Sequence, residues 1–570
     1  MQGKARHGLQ QRQNRLIDTP TPRLLPRPEL LARLQASAEV DLIVIGGGAV
    51  GLGVALDATA RGFSVVLLES HDFASGTSSR ATKLAHGGVR YLAQGDIPLV
   101  REALHERGAM LANAPHLAQR VPFVMPGYHW WERGFYGVGL KAYDALAGSQ
   151  GLGATEWLST RRTLDLLPGV QPRNLWGGVR YWDGQFDDAR LALALARTAA
   201  DRGALLLNHC AVTRLVHERG QVRGVQWRCA EGGKAGESGP DGELRGRCVV
   251  NATGVWVDDV RAMDATPEAA GSAQAERMVA PSQGIHLVVD RAFLPGSHAL
   301  LVPKTEDGRV LFAVPWLGKI ILGTTDTPRK DLAREPEPFA EEVDFILRES
   351  ARYLVRAPRK ADVRSVWVGL RPLVKPVKPV KPQKSASTSN STDGATQKLS
   401  REHTVQVAAS GLVTVTGGKW TTYRSMAEDV LDSAMARGLL PRKPAGVTTR
   451  LRLLGAAAGR PLSEPPGEHL YGSEAAVLAT LPGAGHWLWR DAETSQGGLS
   501  EAMVRFAARF EMARTVEDVL ARRCRLLFLD AAEAARQTEA VAAILAEEIG
   551  QPVATDSFIA LTQKYQRLPS

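Results

Sequence analysis

Hydrophobic positions change period along the chain, and each change marks a new unit. From Asp41, "DLIVIGGGAV" is a short apolar run that breaks on glycines and passes into a small-residue helical pattern. A second apolar run, "SVVLLES", follows, so strand, turn, helix and strand make a βαβ unit. A second α/β stretch leads from a helix in "DDARLALALARTAADRGALLL" to a strand in "GRCVVNATG". Between about residues 281 and 370 short β-rich segments take over: "GIHLVV", "ALLVP", "VLFAVPW", "KIILGTTD" and "SVWVGL". Polar turns separate them, which predicts an antiparallel sheet. "HTVQVAASGLVTVTGG" predicts a hairpin that returns the chain to glycines, and Ala/Leu-rich helical patterns predict a helical C-terminal domain over 440–570.

Two segments fall outside these periods. Residues 1–38 are rich in Arg, Gln and Pro and are expected to be a flexible extension, with room for a short helix at "RPELLARLQA". Residues 374–400 repeat Val-Lys-Pro and then run into Ser, Thr and Asn, the composition of a disordered surface insertion.

Composition narrows the class. A chain of 570 residues, 44% hydrophobic and 23% charged, suits a soluble protein of two or three domains. No apolar run long enough for a transmembrane helix and no apolar signal segment is expected. The net charge of +10 favours an anionic partner: nucleic acid, acidic lipid headgroups or a phosphorylated metabolite. Basic residues are scattered without a recognition-helix or zinc-finger signature, so no nucleic-acid partner is expected. Cys210, Cys229, Cys248 and Cys524 lie far apart without metal-ligand spacing; they read as reduced thiols, with no disulfide framework and no metal site.

Gly46-x-Gly48-x-x-Gly51 follows a strand and opens a helix, the context in which this pattern carries meaning. Gly46 permits the tight turn, Gly48 lets a pyrophosphate approach the backbone, and Gly51 allows helix and strand to pack closely. Glu69 ends the second strand, near the spacing of an acid that binds ribose hydroxyls. A dinucleotide site follows, though the βαβ unit alone does not choose between FAD and NAD.

Seven motifs occur in one order: "VIGGGAVGLGVALDATARG", "TSSRATKLAHGGVRYL", "VNATGVWVDD", "PSQGIHLVV", "ILGTTDT", "VGLRPL" and "TGGKWTTYRSMAE". Together they resemble the FAD-dependent, aerobic respiratory glycerol-3-phosphate dehydrogenase family, densely over residues 40–430 and more weakly over 440–570. The resemblance implies a Rossmann-like FAD-binding domain (39–435, discontinuous). Into it is inserted an antiparallel β-sheet substrate domain, mainly about 90–180 and 280–370, and a helical C-terminal domain follows. This α/β plus α+β arrangement is the glutathione-reductase/D-amino-acid-oxidase-like flavoprotein fold. It also implies oxidation of sn-glycerol 3-phosphate to dihydroxyacetone phosphate with electrons passed to a membrane quinone. The enzyme is then expected to be a homodimer, peripheral on the cytoplasmic face of a bacterial inner membrane. A peroxide-forming glycerol-3-phosphate oxidase and a non-catalytic flavin-binding, membrane-associated protein are the alternatives.

By the same resemblance Arg90, Tyr91, His286, Thr325, Arg371 and Lys419 are substrate-site residues, with His286, Arg371 and Lys419 catalytic and His286 the candidate base. FAD is expected at Gly46, Gly48, Gly51 and Glu69, and at Thr77, Ser78, Ser79, Lys83, Leu84, His86 and Gly87 of the polar loop. Ala252, Thr253 and Gly254, together with Gly417, Gly418 and Thr421, complete that set. Arg80 carries no role in this reading beyond a surface charge. His286, in an apolar strand, and Arg371, before a proline, also fit ordinary sheet positions. Trp130 and Trp131, beside Arg133 and Phe135, suit either core packing or a membrane-facing patch. The Val-Lys-Pro insertion and the long N-terminus depart from the family pattern, and no EF-hand loop is present, which points to a bacterial form.

Overall fold

The computed structural model describes residues 25–88, 96–230, 239–264, 277–306, 308–375, 402–491 and 497–569. Arg90, Tyr91 and nearly all of the Val-Lys-Pro insertion lie outside them.

Two sheets organise the molecule. The first has eight strands, and its main path runs His403–Val407, Val413–Gly417, Asp241–Asn251, Glu39–Ile45, Val65–Leu68, Leu205–Leu207. The four pairings from Val413–Gly417 through to Leu205–Leu207 are parallel. Leu42, Ile43, Val44 and Ile45 are buried on both faces, as a strand covered by helices must be. The small-residue helix Ala49–Ala60 packs between this sheet and the helices Asp188–Asp201 and Tyr423–Ala436. The last helix joins its neighbour through Gly53, where a Cβ would come 2.9 Å from Tyr423.

The second sheet has ten strands, and its core pairs Val279–Asp290 with Lys319–Gly323 and Ser365–Val374, antiparallel throughout. The strands Ala118–Pro126 and Gly178–Phe186 extend it on the far side. One apolar layer beneath it, including Ile285, Leu287, Val343 and Ile346, is a separate core from that of the parallel sheet. The C-terminal region is helical from Glu501, whereas the described part of 440–500, where the pattern also predicts helices, holds only the short elements Glu468–Glu474 and Ala475–Leu478 and a two-stranded ribbon, Trp487–Arg490 and Gly498–Ser500.

Three expectations give way here. Residues 27–36 form a helix whose Leu30, Leu31 and Leu34 pack against Val40, Ile43 and Val66, so this part of the N-terminus is a docked element and no flexible extension. Arg27 secures it by donating to the Asn208 carbonyl at 2.6 Å. Cys210 and Cys229 are joined as a disulfide, because the antiparallel hairpin Cys210–Glu218/Gln221–Cys229 places them directly opposite. Their separation of 19 residues hides that pairing in the sequence. Cys248 and Cys524 are buried thiols. Arg80 is 6% exposed, paired with Glu335 and donating to the Arg334 carbonyl at 2.7 Å, so it is no surface charge.

Candidate active site

The first half of the site is made of backbone. Gly46 has φ +105° and a Cβ there would lie 2.8 Å from the Ala252 carbonyl oxygen. A Cβ on Gly51 would lie 2.0 Å from the Gly46 carbonyl oxygen, so only glycine lets the helix start this close to the strand. Gly48 is the N-cap of Ala49–Ala60 and has no side chain to cap it, and the first turn of the helix holds no acid. A helix N-terminus without an acid, at the carboxyl ends of parallel strands, attracts a diphosphate. The Glu69 carboxylate accepts from Gly47 N at 2.7 Å and turns back on the same loop.

The polar loop 72–88 closes over this turn. Ala74 N donates to the Gly47 carbonyl at 2.9 Å, and Ala49 N donates to Ser78 Oγ at 3.0 Å. Thr77 Oγ1 donates to the Leu370 carbonyl at 2.6 Å, which ties the loop to the second sheet. The Trp420 indole donates to the Ser78 carbonyl at 2.8 Å, bringing Gly417, Gly418, Lys419 and Thr421 to the same place. Thr416 Oγ1 donates to the Gly254 carbonyl at 3.0 Å and links the "ATG" turn to the hairpin. Gly417 and Gly418 both have positive φ, and a Cβ would meet the Glu402 carbonyl and the Met426 sulfur respectively. These contacts assemble a glycine-lined cradle of the kind a dinucleotide requires, and its donors and small residues fit FAD.

Other loop residues turn elsewhere. Leu84 pairs with Gln185 in the second sheet. The His86 ring lies 3.3 Å from Asp183, and Gly87 N donates to the same carboxylate at 3.2 Å. Lys83 is fully buried and donates to Asp188 and to the Ser79 carbonyl, each at 2.7 Å. Burial, opposed by Asp188 and assisted by Arg525, brings its ammonium down to about 7.

The second half of the site is made of side chains on the antiparallel sheet. His286 sits opposite Gly323 and Trp367, and its ring stacks on the Trp367 indole at 5.2 Å. Its Nε2 lies 2.9 Å from Thr82 Oγ1. Its Nδ1 is buried and has no hydrogen-bond partner among the described residues. Burial first, then the charges of Lys83 and Arg371, hold His286 well below its ordinary range. The ring is therefore a neutral imidazole at physiological pH, not a group titrating near 6.5. Arg371 donates to Thr324 Oγ1 at 3.1 Å and to the Gln283 carbonyl at 3.3 Å, and lies 3.4 Å from Asp326. Gly284 leaves room for it, since a Cβ there would lie 2.3 Å from the guanidinium.

Thr325 stands apart from this group. Its hydroxyl donates to Glu342 at 2.8 Å and accepts from Ile285 N at 3.1 Å, so both its capacities serve the sheet frame. The neighbouring Thr324 carries the hydroxyl that meets Arg371. Sequence reasoning also passes over Thr82, Trp367 and Asp188. The "DD" of "FDDAR" signals a helix cap, and nothing in it signals that Asp188 would balance a buried lysine.

Residues 41–424 match the family model of FAD dependent oxidoreductases, and residues 447–555 match that of the C-terminal domain of alpha-glycerophosphate oxidase. The chain is 39% identical to a mitochondrial glycerol-3-phosphate dehydrogenase of Arabidopsis thaliana, over 90% of this chain and 83% of that one. It is 39% identical to the mitochondrial glycerol-3-phosphate dehydrogenase of Homo sapiens, over 94% and 74%. The solved glycerol-3-phosphate dehydrogenase of Bacillus halodurans, complexed with FAD, superposes with a TM-score of 0.70 at 27% identity, covering 95% of this chain and 98% of that one. With the cradle, the two-sheet architecture and these relatives in agreement, the chain belongs to the FAD-dependent glycerol-3-phosphate dehydrogenase family.

Proposed function

We propose that the protein oxidises sn-glycerol 3-phosphate to dihydroxyacetone phosphate and passes the electrons to a membrane quinone. The observation that carries the substrate is the meeting of Arg371, Thr324 and His286 on adjacent strands, beside the cofactor loop. Gly46, Gly48 and Gly51 would hold FAD, which would supply a hydride acceptor. Arg371 offers a planar fork for phosphate or for the C2 oxygen, and Asp326 and Thr324 fix its orientation. Neutral His286 is in its base form, with Thr82 setting the ring, and takes the C2 hydroxyl proton. Its proton affinity is held down by burial first and then by Lys83 and Arg371, and a bound phosphate dianion opposes the effect of those two charges. Lys419 begins the turn Trp420–Thr422 in extended backbone, next to the Trp420 that bonds the cofactor loop, and is the candidate for positive charge near a developing alkoxide.

A surface of the second domain supports the membrane acceptor. Trp130, Phe135, Val138 and Trp176 are 59–76% exposed, and Trp131 and Trp157 are also exposed. Trp157 donates to the Arg133 carbonyl at 3.1 Å, and Lys141 lies 5.6 Å from its ring, so aromatic and basic groups share one face. With its exposed aromatics beside basic groups, this face suits the headgroup layer of an anionic bilayer.

Anaerobic addition of glycerol 3-phosphate to the purified holoprotein is expected to bleach the flavin, and a quinone analogue to restore it. Flavin that stays oxidised would remove the substrate assignment. Restoration by oxygen with stoichiometric peroxide, and none by quinone, would establish the oxidase alternative.

A further inference from the structure

The C-terminal helices carry an arginine run, Arg522, Arg523 and Arg525, that looks in sequence like a solvated charge cluster. In the structure all three are buried, 3%, 1% and 0% exposed. They point into the FAD-binding domain and grip one segment of it, residues 72–79, at both ends.

At one end, Asp72 lies four residues beyond the strand Val65–Leu68. Arg522 Nε and Arg523 Nη1 both donate to its carboxylate, and Arg523 Nη2 adds a bond at 3.0 Å. Asn208 donates to the same carboxylate at 3.0 Å. Arg522 also donates to Asp518 at 2.9 Å. Asp72, His209 and Asp518 come close enough to suggest a metal site, but the two guanidinium groups already neutralise both carboxylates.

At the other end, Arg525 Nη2 donates to the Ser79 carbonyl at 2.8 Å and to Asp188 at 3.1 Å, while Nη1 donates to Ala521 O at 2.8 Å. Lys83 donates to the same Ser79 carbonyl and the same Asp188. Two cations, Lys83 and Arg525, therefore face two buried acids, Asp187 and Asp188. Arg525 itself has φ +69°, a left-handed conformation that a long side chain adopts only when its surroundings dictate it. The turn before it, Asp518–Arg523, is π-helical, an irregularity that recurs at functional sites.

Between these two anchors the segment makes its bonds to the dinucleotide turn, Ala74 to Gly47 and Ser78 to Ala49. The bonds that shape the cradle are thus flanked by bonds to the C-terminal domain. We propose that Arg522, Arg523 and Arg525 are positioning residues for the cofactor: they press loop 72–83 onto the glycine turn, so that the C-terminal domain sets how tightly FAD is held. This rests on the reading that the Thr77–Lys83 loop wraps FAD.

The test compares Arg525→Met and Arg525→Lys with the parent full-length protein. FAD affinity is measured by titration of the apoprotein, the flavin environment by visible circular dichroism, and unfolding midpoints with and without FAD. Arg525→Met is expected to weaken FAD binding about tenfold or more, the scale of one lost charge-assisted hydrogen bond. Its visible dichroism should change, its holo midpoint should fall further than its apo midpoint, and Arg525→Lys should recover part of the loss. Unchanged affinity and dichroism, with apo and holo midpoints falling equally, would reduce the cluster to a domain contact and overturn the proposal. If Arg525→Met does not fold, Arg525→Lys and Asp188→Asn give the same readouts. Thr77→Val and Ser78→Ala separate the two ideas: full FAD affinity in both would overturn the loop reading itself, whatever Arg525 does.

Discussion

The glycine turn at 46–51 and the antiparallel strands around His286 are linked by the polar loop 72–88 and are built by different means. The turn binds with backbone: its specificity resides in where a Cβ cannot go, 2.8 Å from Ala252 O at Gly46 and 2.0 Å from Gly46 O at Gly51. The sheet offers side chains, and each candidate group is held by another. Thr82 sets His286, while Thr324 and Asp326 set Arg371. A backbone site fails all at once when it is filled, whereas a side-chain site loses one function at a time.

The largest expected effect tests the first half of that contrast. Gly51→Val should yield protein without bound flavin, because its side chain cannot clear the Gly46 carbonyl. Gly134→Ala, where a Cβ meets nothing within 4 Å, should keep its flavin in full. Flavin absorbance per chain after purification compares the two, and a yellow Gly51→Val protein would remove the cradle.

Two adjacent threonines sharpen the second half. Thr325→Val takes a donor from buried Glu342 and leaves Ile285 N unpaired, so it should cost about 1–3 kcal/mol of stability. Thr324→Val should leave stability nearly intact and raise KM for glycerol 3-phosphate, since it frees one side of Arg371. Chemical denaturation and steady-state kinetics on both variants check the assignment, and the opposite pattern would return Thr325 to the substrate site.

The most gradual effect is a pH slope. Burial lowers the Lys83 ammonium from its ordinary 10.5 to about 7, so above pH 7 the unfolded chain binds more protons than the folded one. Stability attributable to Lys83 therefore rises with pH between about 7 and 10.5, by at most about 1.4 kcal/mol per pH unit. Relative to Lys83→Met, the parent protein should gain stability from pH 7.5 to 9 in urea titrations. A constant difference would show that Asp188 holds the ammonium charged.

What the sequence discloses follows the same division. Gly46, Gly48 and Gly51 are legible because a backbone requirement admits one residue type, and the strands are legible because burial imposes a period. The hairpin before Gly417 also announces itself, whereas the helix at 27–36 is only a possibility in a segment that reads as flexible, and its docking by Leu30, Leu31 and Leu34 leaves no sign. Partnerships between distant side chains leave no local mark. Arg80 with Glu335, Cys210 with Cys229 and Arg525 with Asp188 each join positions that only the fold brings together. The choice between Thr324 and Thr325 is local but still hidden, because it depends on which hydroxyl Glu342 takes.

The division of labour between turn and sheet is tested most directly by one variant measured two ways. Arg371→Ala should bind FAD as tightly as the parent protein, while kcat/KM for glycerol 3-phosphate, read from anaerobic flavin reduction, falls by about a hundredfold or more. Loss of FAD in proportion to the loss of reduction would contradict the account, because Arg371 would then support the cofactor and not the substrate.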